Sequence, residues 1–477
     1  MKKQLRLYNS LSRRKETFTP LSAGQVTLYT CGPTVYDYSH LGNFRTFLFE
    51  DVLHRVLLWA GYRVKHVMNI TDVGHLVSDA DAGEDKMEKG ARREGKSVWD
   101  IAAFYTGEFE RDFFDSLNAL RPDVLPKATD HIAEQIALVQ RLEDKGFTYR
   151  ISDGVYFDTA RVADYGKLAA VDIDQLQEGA RVEKNPEKRQ PADFALWKFS
   201  PAGVGAAQRQ MEWDSPWGKG FPGWHLECSA MSMKYLGETL DIHTGGIDHR
   251  EIHHTNEIAQ SEAATGKPFA RVWMHGEFIT VDGRRMGKSL GNFIRVADVV
   301  ARGFDPSAYR YMTLLTHYRK PANFTWEGLA AADAALQRVW RFVASAAGRQ
   351  AELKDTAVLE DAVRDFEAAI FDDLNMPQAV GVAQRVMEIG AGGGKDFLPA
   401  AATLLKFDAV LGLRLAEHVT GAAQVDVPAA VQKLVDAREV ARATKNWTEA
   451  DRLRDEISAA GYEVDDAASG PVVRKKS

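Results

Sequence analysis

Only two cysteines occur in 477 residues, Cys31 in "TLYTCGPTVYDYSHLGNFRT" and Cys228 in "PGWHLECSAMSMKYLG". So few thiols cannot build a disulfide framework, which points to a reducing cytoplasm where a thiol does chemistry or binds metal. Further on, "HHTNE" sets His253 and Glu257 four apart, so on a helix both project from one face, a turn from each other. Cys31, Cys228, His253 and Glu257 would together make a zinc site of two thiolates, one imidazole and one carboxylate. Two buried apolar thiols and a surface His/Glu pair are the competing reading, and spacing leaves both open.

Two other segments have the chemistry to meet phosphate. "SHLGN" places His40 and Gly42 where a strand gives way to a helix, and a helix N-terminus offers backbone N–H groups while glycine permits close approach. A helix cap accounts for the same residues. "DGRRMGKSLGNF" gathers Arg284, Arg285 and Lys288 in a glycine-rich loop able to neutralise charge developing on an attacked phosphate. A solvated turn is the plainer alternative there.

The elements that must position these groups are legible as α/β. "QVTLYTC" alternates as a strand, "TFLFEDVLHRVLLWAGY" has helical spacing and ends at Gly61, and "RVKHVMNIT" returns as a strand. Ligands of such βαβ units gather at the carboxyl ends of the strands, where Cys31 and Thr71 fall. A second stretch repeats the plan: "TLDIHTGGIDH" as strand and glycine turn, "EIHHTNEIAQSEAATG" as helix, "RVWMHGEFITV" as strand. The sequence thus predicts one parallel-sheet nucleotide-binding fold split by an insertion from roughly Asp123 to Gln210, followed after about Asn323 by a helix bundle and a last small unit. The bundle rests on "LAAADAALQRVWRFVASAA", which sets Leu329, Leu336, Val339 and Val343 on one stripe; "GAGGGKDF" reads as a loop and "HVTGAAQVDVPAA" as a linker.

With 45% hydrophobic residues, a chain this long can bury a large core and divides into about three units. No span approaches the ~20 apolar residues of a membrane helix, and the basic N-terminus has no apolar run behind it. The net charge of -7 does not favour a polyanion in bulk, but a basic face can sit on an acidic protein. In the final helix Arg438, Arg442 and Lys445 recur four and three apart as one basic face, with Trp447 just beyond them for stacking on an unpaired base. From Val431 to Ser477 basic and acidic residues are equal in number, so recognition there depends on shape more than on charge.

Six segments together identify a family resemblance. "YTCGPTVYDYSHLGNFRT", "NITDVGH", "WDSPWGKGFPGWHLECSAM", "GGIDHREIHHTNEIAQ", "RMGKSLGNF" and "ARATKNWTEADRLRDEISAAGYEVDD" resemble the cysteinyl-tRNA synthetases, class I aminoacyl-tRNA synthetases, in the family's order and along essentially the whole chain. The resemblance implies activation of L-cysteine with ATP and Mg2+ to cysteinyl-adenylate, then transfer to the 3′-terminal adenosine of tRNA(Cys), by a cytoplasmic monomer with no membrane partner. It implies a Rossmann-type parallel-sheet catalytic domain over 1–122 and 211–300 with a connective insertion at 123–210, a stem-contact region over 301–350, a helical-bundle anticodon-binding domain over 351–418 and a small C-terminal recognition module over 428–477. It assigns one Zn2+ per subunit to Cys31, Cys228, His253 and Glu257. Coordination of the substrate's soft sulfur would separate cysteine from serine without an editing site, the sulfur adding as a fifth ligand as the Glu257 bond loosens.

The other roles implied follow the matched motifs. His40, Asn43 and Lys288 are catalytic, and ATP is held by His40, Gly42, Gly246, Asp248 and Lys288. Cys31, Gly32, Thr71 and Trp224 form the amino-acid pocket, and Arg438, Arg442, Trp447 and Asp451 contact transfer RNA. No covalent enzyme intermediate is required. The family's HIGH signature reads His40-Leu41-Gly42-Asn43 here, and KMSKS reads Arg285-Met286-Gly287-Lys288-Ser289. Asn43 can donate hydrogen bonds but carries no charge, and Gly287 loosens the loop. A cysteine ligase of the mycothiol pathway shares the catalytic domain but lacks the C-terminal module, against which "NWTEADRLRD" argues. A non-catalytic tRNA-binding paralogue would lack zinc ligands or Lys288. A dinucleotide dehydrogenase would need a glycine fingerprint after the first strand, which is missing.

Overall fold

The chain opens with an antiparallel hairpin, β1 (Arg6–Asn9) and β2 (Arg14–Thr17). The expected strand–helix–strand unit follows as β3 (Gln25–Thr30), α1 (Leu41–Trp59) and β4 (Arg63–Met68). Helix α1 starts ahead of Thr46, where the apolar periodicity begins, because His40 and Asn43 form a capping box that closes its first turn. The computed structural model describes residues 4–74, 85–169, 185–200, 209–287, 290–421, 428–444, 446–467 and 470–475.

Helices α2 (Lys86–Glu94) and α3 (Val98–Glu110) come next. Phe109 of α3 and Phe113 just beyond it pack on Phe44 and Phe47 of α1 with ring centroids 5.4–6.3 Å apart, which holds α3 against α1. The insertion consists of α4 (Ile132–Asp144) and an antiparallel sheet of β5 (Thr148–Ile151), β6 (Gly154–Phe157), β7 (Phe194–Phe199) and β8 (Gly220–Pro222). Its last strand therefore lies past residue 210. Three residues with a glycine and a proline give almost no strand signal, and pairing of Trp197 with Pro222 and Phe199 with Gly220 makes the strand instead.

Helix α5 (Trp224–Leu236), β9 (Leu240–Gly246), α6 (His253–Thr265) and β10 (Ala270–Gly276) complete the nucleotide-binding half. The strand order is β10-β9-β3-β4, and every pair is parallel. All four carboxyl ends thus meet at one edge, which gathers residues far apart in sequence. "RVWMHGEFITV" is not one strand. The chain leaves the sheet after Gly276 and starts β11 (Ile279–Val281), which pairs with β12 (Arg284–Arg285) and β13 (Ala322–Phe324) in a separate sheet. The break is fixed at Glu277, whose N–H donates to the Tyr318 carbonyl at 2.8 Å and whose carbonyl accepts from Arg45 Nε at 2.9 Å.

Two compact units result. The first holds Met1–Pro306, Thr316–Thr325 and Phe371–Leu374, and it includes α7 (Val296–Ala301). The second holds Ser307–Leu315, Trp326–Ile370 and Asn375–Ser477. Its helices are α8 (Pro306–Leu314), α9 (Trp326–Ala344), α10 (Gln350–Asp355), α11 (Glu360–Ile370), α12 (Met376–Ala391), α13 (Phe397–Leu411) and α14 (Leu415–Gly421). The stripe Leu329, Leu336, Val339 and Val343 is buried as its spacing predicts, and Phe366 stacks on Phe407 at 4.0 Å. His418 to Gly421, expected in a linker, belong to α14, where His418 stacks on Trp340 at 4.0 Å. The chain ends in α15 (Ala429–Ala443), α16 (Trp447–Ala459) and the hairpin β14 (Tyr462–Ala467) and β15 (Gly470–Lys475) around Val431, Val435, Ile457 and Val464. Among the described residues no helix is long and apolar enough to cross a membrane.

Candidate active site

Cys31 follows β3 directly, and its backbone N–H donates to the Thr244 carbonyl of β9 at 3.1 Å. The next residue must be glycine, since a Cβ on Gly32 would stand 1.8 Å from the Asn69 carbonyl oxygen; the Gly32 N–H donates to Asn69 Oδ1 at 2.9 Å. This close crossing of the β3 and β4 ends aims Cys31 into the sheet's cleft. Cys228 lies in α5, His253 opens α6, and Glu257 stands one turn later. One ligand atom from each of the four lies within 4.8 Å of all the others, and all four side chains are buried. Residues separated by more than two hundred positions thus converge.

A layer of imidazoles beneath this group was not read from the sequence. His243 Nε2 is 3.0 Å from Glu257 Oε2, and His253 Nε2 is 3.0 Å from Glu257 Oε1. His254 Nε2 is 3.2 Å from Cys31 Sγ; its Nδ1 is 2.9 Å from His275 Nε2, and His275 Nδ1 is 2.8 Å from Ser10 Oγ. His225 Nδ1 meets His253 Nδ1 at 3.0 Å. The histidine density of "TLDIHTGGIDHREIHH" was the available signal, but only the register of β9 against α6 decides which rings turn inward.

The electrostatics suit a cation. Burial pushes the Cys31 thiol well above the ordinary range, with Cys228 adding to the rise, whereas Cys228, bonded by Cys31 and facing His253, falls to about 7. Burial alone would lower His253, yet Glu257 and Cys228 hold it at about 10; burial alone would raise Glu257, yet His243 and His253 hold it at about 2. Glu257 and Cys228 thus favour a positively charged partner at His253, although every one of the three is out of water. Two sulfurs, one imidazole nitrogen and one carboxylate oxygen fit the donor set of zinc. Cys31, His243, His254 and Glu257 lie equally close, but that set has one thiol fewer and is the softer metal's poorer match.

At the head of α1, His40 Nδ1 accepts from the Asn43 N–H and Asn43 Oδ1 accepts from the His40 N–H, both at 3.1 Å. With Nδ1 accepting, the neutral ring carries its proton on Nε2. Gly42 has no Cβ because one would stand 2.8 Å from His40 Cε1. Asn43 thus serves the helix cap. Gly246 ends β9, and Asp248 is exposed on the short turn Ile247–Arg250. Thr71 is buried and accepts from Asn69 Nδ2 at 3.0 Å, while Trp224 lies 4.5 Å from the His253 ring. Arg284 and Arg285 are exposed on β12, and the Gly287 N–H donates to Asn292 Oδ1 at 2.9 Å. Lys288 and Ser289 lie outside the described residues.

The expected basic face of the last unit is altered. Arg438 is 2% exposed and its guanidinium is 3.1 Å from Glu439. It follows Val431 and Val435 at helical spacing, so it shares their core-facing stripe and does not present charge outward. Arg442 is partly exposed, Trp447 is 57% exposed, and Asp451 is exposed; Lys445 lies outside the described residues.

Residues 17–334 match the family described as tRNA synthetases class I (C) catalytic domain, and residues 424–474 match the Cysteinyl-tRNA ligase anticodon binding domain. The fold agrees with solved structures at low sequence identity. A ternary complex of Agrobacterium radiobacter K84 agnB2 LeuRS with tRNA and LeuAMS gives a TM-score of 0.62 at 14% identity, over 86% of each chain. Mycobacterium tuberculosis methionyl-tRNA synthetase in complex with methionyl-adenylate gives 0.54 at 15%, over 84% of this chain and 92% of that one. Parallel sheet, insertion and helical region together are those of a class I aminoacyl-tRNA synthetase. "Cysteine--tRNA ligase 1" of Burkholderia lata is 52% identical over 98% of this chain and 96% of its own length, and "Cysteine--tRNA ligase" of Treponema denticola is 41% identical over 99% of each. The chain belongs to the cysteine–tRNA ligase family.

Proposed function

We propose that this chain joins L-cysteine to ATP, giving cysteinyl-adenylate and pyrophosphate, and passes the cysteinyl group to the 3′-terminal adenosine of tRNA(Cys). The observation that carries the reading is the convergence of Cys31, Cys228, His253 and Glu257 at the carboxyl edge of the sheet, in a chain whose helix α1 is capped by His40 of the matched motif. Bound by those four residues, zinc would supply a soft Lewis acid with a strong preference for the substrate's sulfur over the hydroxyl of serine.

The chain's own groups account for the rest. Thr71 and Trp224 enclose the amino acid, and Asp248 accepts from ribose hydroxyls. The His40 Nε2–H and the backbone N–H groups of the first turn of α1 hold phosphate oxygens of ATP, which enters with Mg2+. The cysteine carboxylate attacks the α-phosphate in line, and Lys288 neutralises the charge that builds on the pentacovalent phosphorus as pyrophosphate leaves. The terminal adenosine hydroxyl then attacks the mixed-anhydride carbonyl and AMP departs. Arg442 on α15 and Trp447 and Asp451 on α16, in the family's anticodon-binding region, hold the far end of the transfer RNA, with Arg438 anchoring α15.

Transfer to an amino sugar is disfavoured by the match over 424–474. The test is cysteine-dependent ATP–pyrophosphate exchange with and without zinc, followed by charging of tRNA(Cys). Zinc removal should abolish cysteine binding and spare ATP binding; equal cysteine affinity in metal-free protein refutes the metal's role. Lys288→Ala should slow exchange at nearly unchanged cysteine affinity.

A further inference from the structure

A second concavity, about 320 Å³ in volume, lies beside the head of α1 and is lined by Asp37, Tyr38, Gly291, Phe293 and Arg295. Its walls are flat and charged. The Arg295 guanidinium lies 4.7 Å from the Tyr38 ring centroid, and the Phe293 ring stands edge-on to His40 at 5.0 Å. The outer face of Tyr38 is backed by Phe104 and Tyr105 of α3 at 6.1 and 5.0 Å, so the ring is braced. Asp37 Oδ1 accepts from the Tyr38 N–H at 2.8 Å, and Oδ2 is 3.3 Å from Arg93. Arg93, Lys96 and Arg295 bring positive charge to this side, with Lys96 Nζ over the Phe104 ring at 4.7 Å.

This place is not where the adenosine of ATP is expected. Gly246 and Asp248 follow β9, which flanks β3 on one side; α3 follows β4, which flanks β3 on the other. The concavity is lined by the Asp37–Tyr38 stretch just ahead of α1 and by Gly291, Phe293 and Arg295, and its Tyr38 packs against α3, not against the Gly246–Asp248 turn. Aromatic rings and a guanidinium plane accept the face of an unpaired base, and a carboxylate, which can only accept, selects a base edge that carries an amino group.

We propose that this concavity is a subsite for one cytidine of the single-stranded CCA end of transfer RNA, with the base lying against Tyr38 and Arg295 and its exocyclic amino group donating to Asp37. The proposal rests on the reading of the chain as a charging enzyme. Cytidine is distinguished from uridine because uridine presents a carbonyl oxygen where cytidine presents the amino group, and Asp37 would repel it.

The test pairs full-length Asp37→Asn and Tyr38→Leu with tRNA(Cys) transcripts ending in CCA, UCA or CUA. Asp37→Asn keeps an oxygen for the Tyr38 N–H and is the decisive variant. The wild type should charge the CCA transcript about tenfold better than one of the two uridine transcripts, and Asp37→Asn should bring that ratio within about twofold. Tyr38→Leu should lower kcat/KM for transfer RNA about tenfold, as loss of one stacked base does. Pyrophosphate exchange in Asp37→Asn should stay within about twofold of wild type. An unchanged cytidine-to-uridine ratio in Asp37→Asn overturns the subsite, and so does a loss of its exchange activity that parallels the loss of charging. A wild-type enzyme that performs exchange yet charges no transcript overturns the broader functional reading, and the subsite with it.

Discussion

His243 and Glu257 are joined by a 3.0 Å contact between Nε2 and Oε2, and neither side chain is reached by solvent. His243 thus fixes one carboxylate oxygen by a hydrogen bond, and the other lies 3.0 Å from His253 Nε2 in an ion pair. A ligand held this way keeps its orientation without help from the ion it faces. His243→Ala should weaken zinc binding about tenfold and raise the KM for cysteine, with the KM for ATP unchanged. Chelator competition measures the first and exchange kinetics the others; full zinc affinity in the variant would show the contact to be incidental.

Gly42→Ala tests the head of α1. Alanine favours the helix backbone, but its methyl group would stand 2.8 Å from His40 Cε1 and must turn the ring away. The expected result is a fall of about tenfold or more in exchange kcat, with the thermal midpoint essentially unchanged. An equal loss of stability would mean that the glycine serves folding.

Asp72 offers a pH signature away from the ion site. Burial raises its carboxyl to about 6, against the opposing hydrogen bonds from Thr129 at 2.6 and 2.9 Å. A carboxyl that binds its proton more tightly in the folded state stabilises that state fully below its unfolded pKa, and the contribution disappears as pH rises through about 6. Unfolding free energy should therefore decline on the order of 2–3 kcal/mol between about pH 4 and pH 6 from this group. Asp72→Asn should flatten that slope in denaturant titrations across the range, and an identical slope would assign it to other groups.

Removal of the residues after Pro428 separates the two half-reactions. The truncated chain should keep cysteine-dependent exchange within about twofold and lose most of its charging rate at low transfer RNA concentration. Within the removed segment, Trp447→Ala should account for a large part of the loss, since a stacked base is worth about 1–3 kcal/mol. Normal charging by the truncated protein would take recognition elsewhere.

Where the sequence speaks clearly, local chemistry decides the outcome. The α1 and α9 faces and the strand–helix–strand unit follow from periodicity, whereas spacing left the grouping of Cys31, Cys228, His253 and Glu257 open and the family resemblance singled it out. The short strand β8 and the break at Glu277 do not, because tertiary pairing creates them from residues with weak strand preference or from a run that reads as continuous strand. Arg438 shows the same limit on a single helix. Spacing places it with Arg442, but the packing of Val431 and Val435 against Ile457 and Val464 turns it inward. The imidazole layer is beyond sequence reasoning for a further reason: which ring nitrogen meets which partner depends on the relative depth of β9, β10 and α6.

The central position of β3, paired with β4 on one side and β9 on the other, bears on how the protein is born. A ribosome delivers Cys31 early and Glu257 late, so the growing chain carries a bare strand edge until the whole insertion has emerged. Closing that gap costs loop entropy once, and metal uptake can only follow it. A nascent chain arrested before α6 should release zinc freely, and one arrested beyond β10 should retain it.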